Sequence, residues 1–401
     1  MKWLAIVLAL VACKSKRDAD HQTSLPVEPV IPRDAGPDAA SSWTAALDKL
    51  PLIAAERTII LPSRADQPRF DVVGPLVVGD LAIVGSSQLG FAAVDWRRGV
   101  IVWTKPSGSR IAPPAVQGED ILLIGDCTGT PPISASDALL GCLRSVTADG
   151  ADDAHIAIRG KAAAVESFSH SVGEQHVWVE GERVRWRRGD QAVSIDLGSG
   201  VAVPAPVASP PLSITYKERH WDIEQVDGKI IARGKAKQDS WESDRSAGEL
   251  LGPVWIPQQS PMLRFVSISG RYGAPELRLH DMNATGSLFS QISLDSVPGI
   301  AMLAHAMSPV GDVAMAVRLD KTLKHDFIAG FSANALLRWV YPLPETARTD
   351  RVGIAIALDA QRAPEAVVVF HDGDTVTILP ELSSPPTAPG AARGPLENAT
   401  P

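Results

Sequence analysis

Two cysteines, Cys127 and Cys142, have the spacing in this sequence that points most directly to covalent chemistry. One follows the apolar run ILLIG and the other begins GCLRSV, with the Pro-, Ser- and Thr-rich stretch TGTPPISASDALLG between them. In an exported chain, an even pair of this kind predicts a disulfide. Two buried free thiols are the alternative. We expect the bond to staple a loop whose composition gives it little structure of its own.

No motif for catalysis is complete in this sequence. The nine histidines are scattered, and His170 and His176 lie in a stretch with loop-like composition, so we predict no metal ligation there. Asp149, Asp152 and Asp153 lie close together, but their spacing is not that of a calcium loop and indicates a solvated turn. We therefore predict no catalytic residue, no cofactor-binding residue and no metal site.

The N-terminus MKWLAIVLALVAC predicts export. One cation, Lys2, precedes an apolar run over 3–12 that is about half the length of a membrane-spanning helix. The run ends in LVAC, which resembles the lipobox of bacterial lipoproteins, where the signal is cut before the cysteine and that cysteine is lipidated. A plain signal peptide is the alternative. Acyl chains on Cys13 would hold the protein at a membrane surface. The sorting rule of that class, applied to Lys14, favours the outer membrane of a two-membrane bacterium, with the protein facing the periplasm.

Composition limits the class of protein and its domain organisation. The chain of 401 residues is 45% hydrophobic, enough for a large core, and its net charge of -8 gives no basic footprint for nucleic acid. The stretch after Cys13 and the C-terminal stretch are rich in proline and poor in aromatic residues, which predicts disorder. The predicted segments are a signal peptide over 1–12, the lipidated cysteine and tether over 13–42, a folded body over 43–381 and a disordered tail over 382–401.

The body has the pattern of an all-β protein. Apolar runs of about four to eight residues, such as PLVVGDLAIVGSS and AVVVFHDGDTVTIL, are separated by Gly, Pro, Asp and Ser. No sustained helical stripe competes with them. In RVRWRR the basic residues alternate with Val184 and Trp186, which indicates the solvated face of a strand.

A weak internal repeat favours one all-β architecture over the others. Asp95 marks a turn, and comparable turns follow at Thr147, Asp196, Asp281, Phe331 and Pro380. The spacing is about 50 residues, and a gap of about 85 residues predicts one eroded repeat in KAKQDSWESDRSAGELLG. This period predicts a β-propeller of four-stranded antiparallel blades, seven by the number of anchors, or eight if RTIILPSRADQPRFDVV forms more than a closing strand. We expect that segment to pair with the C-terminal strands and remove the open edge.

The stretch FAAVDWRRGVIVW shows what each repeat contains. We expect Asp95 to accept a hydrogen bond from the backbone N–H two residues on, and Gly99 to supply a positive φ. Trp103 can then pack between adjacent blades. The frame returns around Trp339, and SIDLGSG repeats the Asp-to-Gly spacing. The residues predicted to form this structural motif are Asp95, Gly99, Trp103, Asp196, Gly200 and Trp339.

The pattern resembles the repeat of pyrroloquinoline-quinone-type β-propellers, Ala-Leu-Asp-x-x-Thr-Gly-x-x-x-Trp, best over Leu76–Val116. Arg98 stands where that family has Thr, and Pro204 where it has Trp. The quinone-dependent dehydrogenases of the family carry an adjacent cysteine pair and a calcium-holding cluster. Here Cys127 and Cys142 are not adjacent and no segment matches the calcium cluster, so the resemblance implies the fold without the cofactor.

The sequence therefore predicts a non-catalytic envelope lipoprotein that acts as a protein-binding scaffold, with a protein of the envelope as its unidentified partner and a lipid anchor in the membrane. Loops at one rim of the propeller, first the one between Cys127 and Cys142, are the predicted contact. A quinone-dependent oxidoreductase is one alternative. A polysaccharide-binding module using exposed tryptophans is another, although ten Trp in a propeller indicate packing between blades.

Overall fold

The computed structural model describes residues 51–382 with gaps, the longer of which are 64–71, 128–135, 243–248, 257–261, 270–275, 294–300, 319–325 and 345–351. The predicted signal peptide, the lipidated Cys13, the tether and the tail beyond Leu382 lie outside the described residues. Within the described part of the chain, no helix has the length and apolarity needed to cross a membrane.

The strands follow one another in groups of four. The chain first forms β1 (Arg57–Ile60). Blade 1 is β2 (Val72–Val78), β3 (Leu81–Ser86), β4 (Gly90–Asp95) and β5 (Val100–Lys105). Blade 2 is β6 (Ala115–Gln117), β7 (Asp120–Gly125), β8 (Asp137–Val146) and β9 (Asp152–Lys161), followed by helix α1 (Ala162–His170). Blade 3 is β10 (Gln175–Glu180), β11 (Arg183–Arg188), β12 (Gln191–Asp196) and β13 (Ala202–Pro204).

The second half of the chain repeats this order. Blade 4 is β14 (Leu212–Tyr216), β15 (Arg219–Val226), β16 (Lys229–Gly234) and β17 (Trp241–Glu242). Blade 5 is β18 (Glu249–Ile256), β19 (Met262–Ser269), β20 (Glu276–Asn283) and β21 (Leu288–Ser293). Blade 6 is β22 (Ala301–Met307), β23 (Val313–Arg318), β24 (Asp326–Phe331) and β25 (Leu337–Pro342). The last strands are β26 (Gly353–Leu358), β27 (Pro364–His371) and β28 (Thr375–Pro380).

These strands form a β-propeller of four-stranded antiparallel blades, as predicted. Six blades are each built from four consecutive strands, and one further sheet, the closing sheet, has the order β1-β28-β27-β26. In it Arg57 lies opposite Ile378 and Ile60 opposite Thr375. The predicted pairing of the N-terminal segment with the C-terminal strands is thus confirmed. The count of seven or eight blades is corrected to six consecutive blades and one composite sheet, because the last repeat takes its fourth strand from the opposite end of the chain.

The turns that mark the repeat are equivalent in structure. Each anchor residue lies in the third strand of its sheet or directly after it, in β4, β8, β12, β20, β24 and β28. The gap of about 85 residues holds blade 4, whose short outer strand contains Trp241 from the segment predicted to be eroded. The repeat in the sequence therefore marks the same element, the third strand, in each of these sheets.

Hydrophobic clusters lie between neighbouring sheets. Phe91 and Trp103 of blade 1 pack against Leu123 of blade 2. Blade 2 and blade 3 share a cluster that includes Trp186 and Phe168. Similar clusters join blade 1 and blade 6 to the closing sheet, and blade 4 to blade 5. Each strand therefore turns alternate side chains to the blade on either side, which is why the sequence shows nearly continuous apolar runs rather than strict alternation.

Helix α1 was not predicted, since this part of the body was expected to form strands. It connects β9 to β10 and buries Val165 and Phe168, the second of which meets the Trp186 ring edge-on at 4.8 Å between ring centroids. The alanine run AAA and the three-residue spacing of Val165 and Phe168 were the available signals. The helix is so short that its stability must come from this packing rather than from propensity.

The antiparallel topology divides the connections between two ends of the propeller. Connections from second to third strands lie at the same end as those from one blade to the next, because successive strands reverse direction. We call this end the loop face. It carries the segment between Cys127 and Cys142, the connection between β5 and β6, and helix α1.

Candidate functional site

The loop face is built around the disulfide. Cys127 follows β7, Cys142 lies in β8 opposite Gly125, and the two sulfurs are bonded, with 4.9 Å between the Cα atoms. The predicted disulfide is therefore present. It closes a loop whose residues 128–135 lie outside the described part of the chain.

The connection between β5 and β6 braces the base of this loop. The backbone N–H of Arg110 donates to Asp126 Oδ2 at 3.0 Å, and the N–H of Asp126 donates to Ser107 Oγ at 3.1 Å. The guanidinium of Arg110 also donates to the carbonyl of Leu140 at 2.7 Å. The loop is thus held from the neighbouring connection as well as by its own disulfide.

A shallow pocket lies beside the disulfide, between blade 1 and blade 2. Its apolar floor is Phe91 and Leu123, and its polar lining includes Lys105, Asp126 and Arg144. Lys105 Nζ lies 3.0 Å from Asp152 Oδ1, and Asp126 accepts the hydrogen bond described above. The pocket lining contains no histidine. Its charges can orient a polar group of a partner, but no nucleophile in it is paired with a base.

On the far side of the loop, Lys161 Nζ donates to Asp137 Oδ1 at 3.0 Å. This hydrogen bond lowers the pKa of the Asp137 carboxyl, with a further contribution from Ser136. The Lys161 side chain is 77% exposed and that of Asp137 is 23% exposed, so the cation of the pair faces solvent at the start of α1. Charge of both signs therefore surrounds the loop.

The predicted turn motif forms in blades 1 and 3. The N–H of Arg98 donates to Asp95 Oδ1 at 2.8 Å and that of Gly99 to the Asp95 carbonyl at 2.7 Å. In blade 3, Asp196 Oδ1 and its carbonyl accept from the N–H groups of Ser199 and Gly200 in the same way. Gly99 has a φ of +72°, as predicted, and Gly200 has a φ of +71°. The prediction of a donor two residues on was wrong, because the carboxylate reaches the third N–H of a longer turn.

The two motif tryptophans bind the following blade at matching positions. Trp103 Nε1 donates to the carbonyl of Ala148 at 3.1 Å, and Trp339 Nε1 to that of Glu381 at 3.2 Å. Each carbonyl belongs to the residue after a repeat anchor. Blade 3 has Pro204 in the equivalent place, which has no ring N–H to donate. These residues are structural and lie at blade interfaces, and Trp103 belongs to the same hydrophobic cluster as the pocket residues Phe91 and Leu123.

A buried polar cluster joins the closing sheet to blade 1. His371 is 1% exposed and lies 2.8 Å from Asp372 Oδ2 through Nδ1 and 3.0 Å from Thr377 Oγ1 through Nε2. Ser86 Oγ donates to the carbonyl of Gly373 across the interface. This cluster was not predicted from the sequence, where the stretch HDGD is its signal. Since both ring nitrogens are engaged and the ring is covered, the cluster seals the interface rather than meeting a substrate.

The other residues considered for chemistry are not brought together. His170 lies at the end of α1 with Nδ1 at 2.8 Å from the Glu166 carbonyl, while His176 lies in β10. Their predicted loop-like setting was wrong. Asp149 accepts a hydrogen bond from the Thr147 hydroxyl in an exposed turn, which lowers its pKa. The described residues include no group of three or more His, Cys, Asp or Glu placed to hold a metal.

The tryptophans serve packing in the described part of the chain. At most 8% of the surface is exposed for Trp96, Trp103, Trp186, Trp221 and Trp339. Trp178 and Trp241 are half-buried. A polysaccharide-binding surface needs open rings for stacking, so these residues give it no support.

No protein-family model and no curated protein matches the sequence. The chain is similar in structure to BamB from Moraxella catarrhalis, with a TM-score of 0.41 and 13% identity over 82% of this chain and 100% of that one. It is also similar to Kluyveromyces lactis Hsv2p, with a TM-score of 0.40, 9% identity and coverage of 79% and 100%. For YCF48 from Cyanidioschyzon merolae the TM-score is 0.44, the identity 12% and the coverage 81% and 98%.

Proposed function

We propose that this chain is a non-catalytic lipoprotein of the bacterial envelope that binds a protein partner through the loop face of its propeller. The observation that carries this proposal is the Cys127–Cys142 disulfide, together with the brace of Arg110 and Asp126 at the base of the loop. A loop fixed at both ends loses less conformational entropy on binding than a free one. The mixed charges and apolar floor beside it suit a protein surface.

The envelope location belongs to the same proposal. Disulfides persist in oxidising compartments. The predicted signal sequence and the lipidated Cys13 would direct the protein to such a compartment. We place the protein at the outer membrane, facing the periplasm. We also assign the repeat to the pyrroloquinoline-quinone type, with the closing sheet in the place of a seventh blade and with no bound cofactor.

The decisive experiment replaces residues 128–135 by a Gly-Ser linker of equal length and keeps both cysteines. The full lipidated protein is then solubilised from its native envelope in mild detergent, and stoichiometric partners are identified. We expect the original protein to retain an integral envelope protein and the variant to lose it. The melting temperature should hardly change, because the variant keeps both cysteines and all the described residues of the hydrophobic clusters.

The matched control replaces residues 319–325, which connect the second and third strands of blade 6 at the same end of the propeller. This variant should keep the partner. The proposal is wrong if the 128–135 variant retains the same partner, or if the original protein is recovered alone from a folded preparation. Tight quinone binding with dye-linked oxidation of an alcohol would instead establish the oxidoreductase alternative.

A further inference from the structure

The outer strand of blade 1 presents apolar side chains to solvent at the edge of its sheet. Val100, Ile101 and Val102 in β5 are 49%, 39% and 41% exposed, and Thr104 is also exposed. Among the described residues, none pairs with the outer edge of this strand. An exposed apolar edge can accept a further strand, whose backbone would satisfy the outward-facing N–H and C=O groups.

Three other outer strands, β9, β13 and β25, have protection that residues 100–102 of β5 do not have. Strand β9 exposes the charged residues Asp152 and Asp153, and β13 ends in Pro204, which has no N–H to donate. The edge of β25 is covered by the chain itself, through a short parallel bridge between Leu52 and Val340. Strand β5 ends in Lys105, which lies 3.0 Å from Asp152 of blade 2 and precedes Pro106. Over Val100, Ile101 and Val102 it has only the bulge at Val102 and no charge, proline or covering segment among the described residues.

The covered edge of β25 shows what an added strand would do at β5. The N–H of Ile53 donates to the Val340 carbonyl at 3.0 Å, and the N–H of Val340 donates to the Pro51 carbonyl at 2.8 Å. Val340 follows the motif residue Trp339 and is fully buried, whereas Thr104, which follows Trp103, is exposed. Because the two tryptophans occupy equivalent positions, the N–H and C=O of Thr104 also face outward.

We propose that β5 binds an extended, mainly apolar segment of a partner protein by strand addition, with an acidic residue beside the apolar ones. This inference rests on the proposed scaffold function and gives that scaffold a second contact. The segment Pro-Leu-Ile on β25 defines the apolar character of the occupant. The acidic residue follows from Arg98, whose side chain is 81% exposed at the start of β5, 3.6 Å from Asp95, and from Arg57 beside Gly99.

A second copy of the chain is a poorer occupant. Antiparallel pairing of two β5 strands would bring Lys105 and Pro106 of one copy beside Gly99 and Arg98 of the other. The two cations would repel each other, and Pro106 has no N–H for the ladder. An acidic-apolar segment of another protein has neither problem.

The test uses the full mature chain and the labelled peptide Glu-Glu-Val-Ile-Val-Thr. Fluorescence anisotropy measures binding, and hydrogen exchange with mass spectrometry follows the backbone of 99–105. We expect saturable binding and at least tenfold slower exchange in β5. Val102→Lys should weaken binding at least tenfold, because a charge at the edge opposes strand addition. The control Val203→Lys, on the 42% exposed Val203 of β13, should bind normally.

Three results would overturn the proposal. The first is that the peptide shows no saturable binding. The second is that the peptide binds but does not slow hydrogen exchange in β5, or that it binds the Val102→Lys variant as tightly as the original protein. The third is an edge already protected in the free chain and exposed on deleting residues 383–401 or 14–42, which would make the chain its own occupant. Loss of the partner in the 128–135 variant reports on the scaffold function separately. A failed peptide test therefore leaves that function standing.

Discussion

At the scale of single residues, Trp103 and Trp339 show how a degraded repeat keeps its structural content. Their indole N–H groups donate to carbonyls at the same place in the following sheet. The register of their own hairpins differs, since Trp103 lies opposite Ala93 and Trp339 opposite Gly330. A Cβ on Gly330 would lie 2.6 Å from the Trp339 ring, so glycine makes room for this shift. Both tryptophans therefore keep the hydrogen bond to the next sheet, although the pairing within their own hairpins differs.

Two substitutions of Trp339 separate the contribution of its ring to stability from that of its hydrogen bond. Trp339→Phe should destabilise the protein by about 1–3 kcal/mol, because the Glu381 carbonyl loses its donor in a partly buried place. Trp339→Ala should cost about 3–5 kcal/mol through the added cavity. Denaturant unfolding checks both values, with Trp103→Phe as the matched variant expected to resemble Trp339→Phe. Equal losses for Phe and Ala at 339 would contradict this division.

Asp312 gives a prediction of pH dependence. Burial raises the pKa of its carboxyl above the usual 3.8, against the hydrogen bond from the Ala333 N–H that lowers it. A raised pKa in the folded state means that stability from this group is present below pH 3.8 and is lost as pH rises through the folded pKa. Asp312→Asn should therefore unfold at the same or a higher temperature at pH 7. The difference should shrink as the pH is lowered, and a larger advantage of Asn in acid would refute the argument.

At the scale of elements, the hairpin turns depend on glycine to different degrees. Gly200, Gly99 and Gly181 all have positive φ. A Cβ on Gly200 would lie 2.1 Å from the Ala157 carbonyl oxygen, and one on Gly99 2.9 Å from the flexible Arg57 side chain. A Cβ on Gly181 would meet nothing within 4 Å. The same backbone conformation therefore has three different surroundings.

These surroundings predict a ranking of alanine substitutions. Gly181→Ala should cost about 1–2 kcal/mol, the strain of a left-handed residue. Gly99→Ala should cost slightly more, and Gly200→Ala should cost most, about 3 kcal/mol or more, since backbone must move. Thermal unfolding of the three variants tests the order. A larger loss of stability in Gly181→Ala than in Gly99→Ala and Gly200→Ala would contradict this ranking.

Elements were predictable from the sequence where a local pattern determines them. The hairpin around Asp95 and Gly99 was, because a carboxylate and a positive φ fix the turn within a few residues. Helix α1 was not, since only its packing on Trp186 makes nine residues helical. The outward position of Val100, Ile101 and Val102 was also hidden, because an apolar run looks the same on an outer strand as on an inner one.

At the scale of the whole molecule, β1 closes the ring. It covers β28, while Ser63 Oγ donates to Asp374 Oδ2 at 2.9 Å across a separation of 311 residues. Leu61 belongs to the cluster between blade 1 and the closing sheet. Closure therefore joins opposite ends of the folded body through both backbone pairing and apolar packing.

Removing this strand should open the propeller. A chain beginning at residue 61 should unfold at a temperature lower by on the order of 10 °C and should associate as its concentration rises, because β28 becomes an open edge. A chain beginning at residue 49, which keeps β1 and the segment on β25, should behave as the full protein. Size-exclusion chromatography at several concentrations and thermal unfolding check this. Unchanged behaviour of the shorter chain would show that closure contributes little.

The propeller and its closure could be predicted from the period and the terminal apolar segments, but the loop face could not be assembled from sequence alone. The sequence paired Cys127 with Cys142 because only two cysteines remained. The brace of Arg110 on Asp126 and Leu140 depends on how adjacent blades sit, which no local pattern records. The same applies to the buried His371 cluster between the closing sheet and blade 1.

The pairing of β1 with β28 also orders events in time. On the ribosome β1 emerges near the beginning of synthesis and β28 near its end. Strand β1 therefore cannot pair with β28 until almost the whole chain has been synthesised. Blades 1 to 6 can each form from contiguous sequence as they appear, whereas ring closure has a very long sequence separation and is the slow, late step. Until then the edge of β1 and the apolar face of β2 stay open, which gives a holding chaperone a defined target and a defined moment of release.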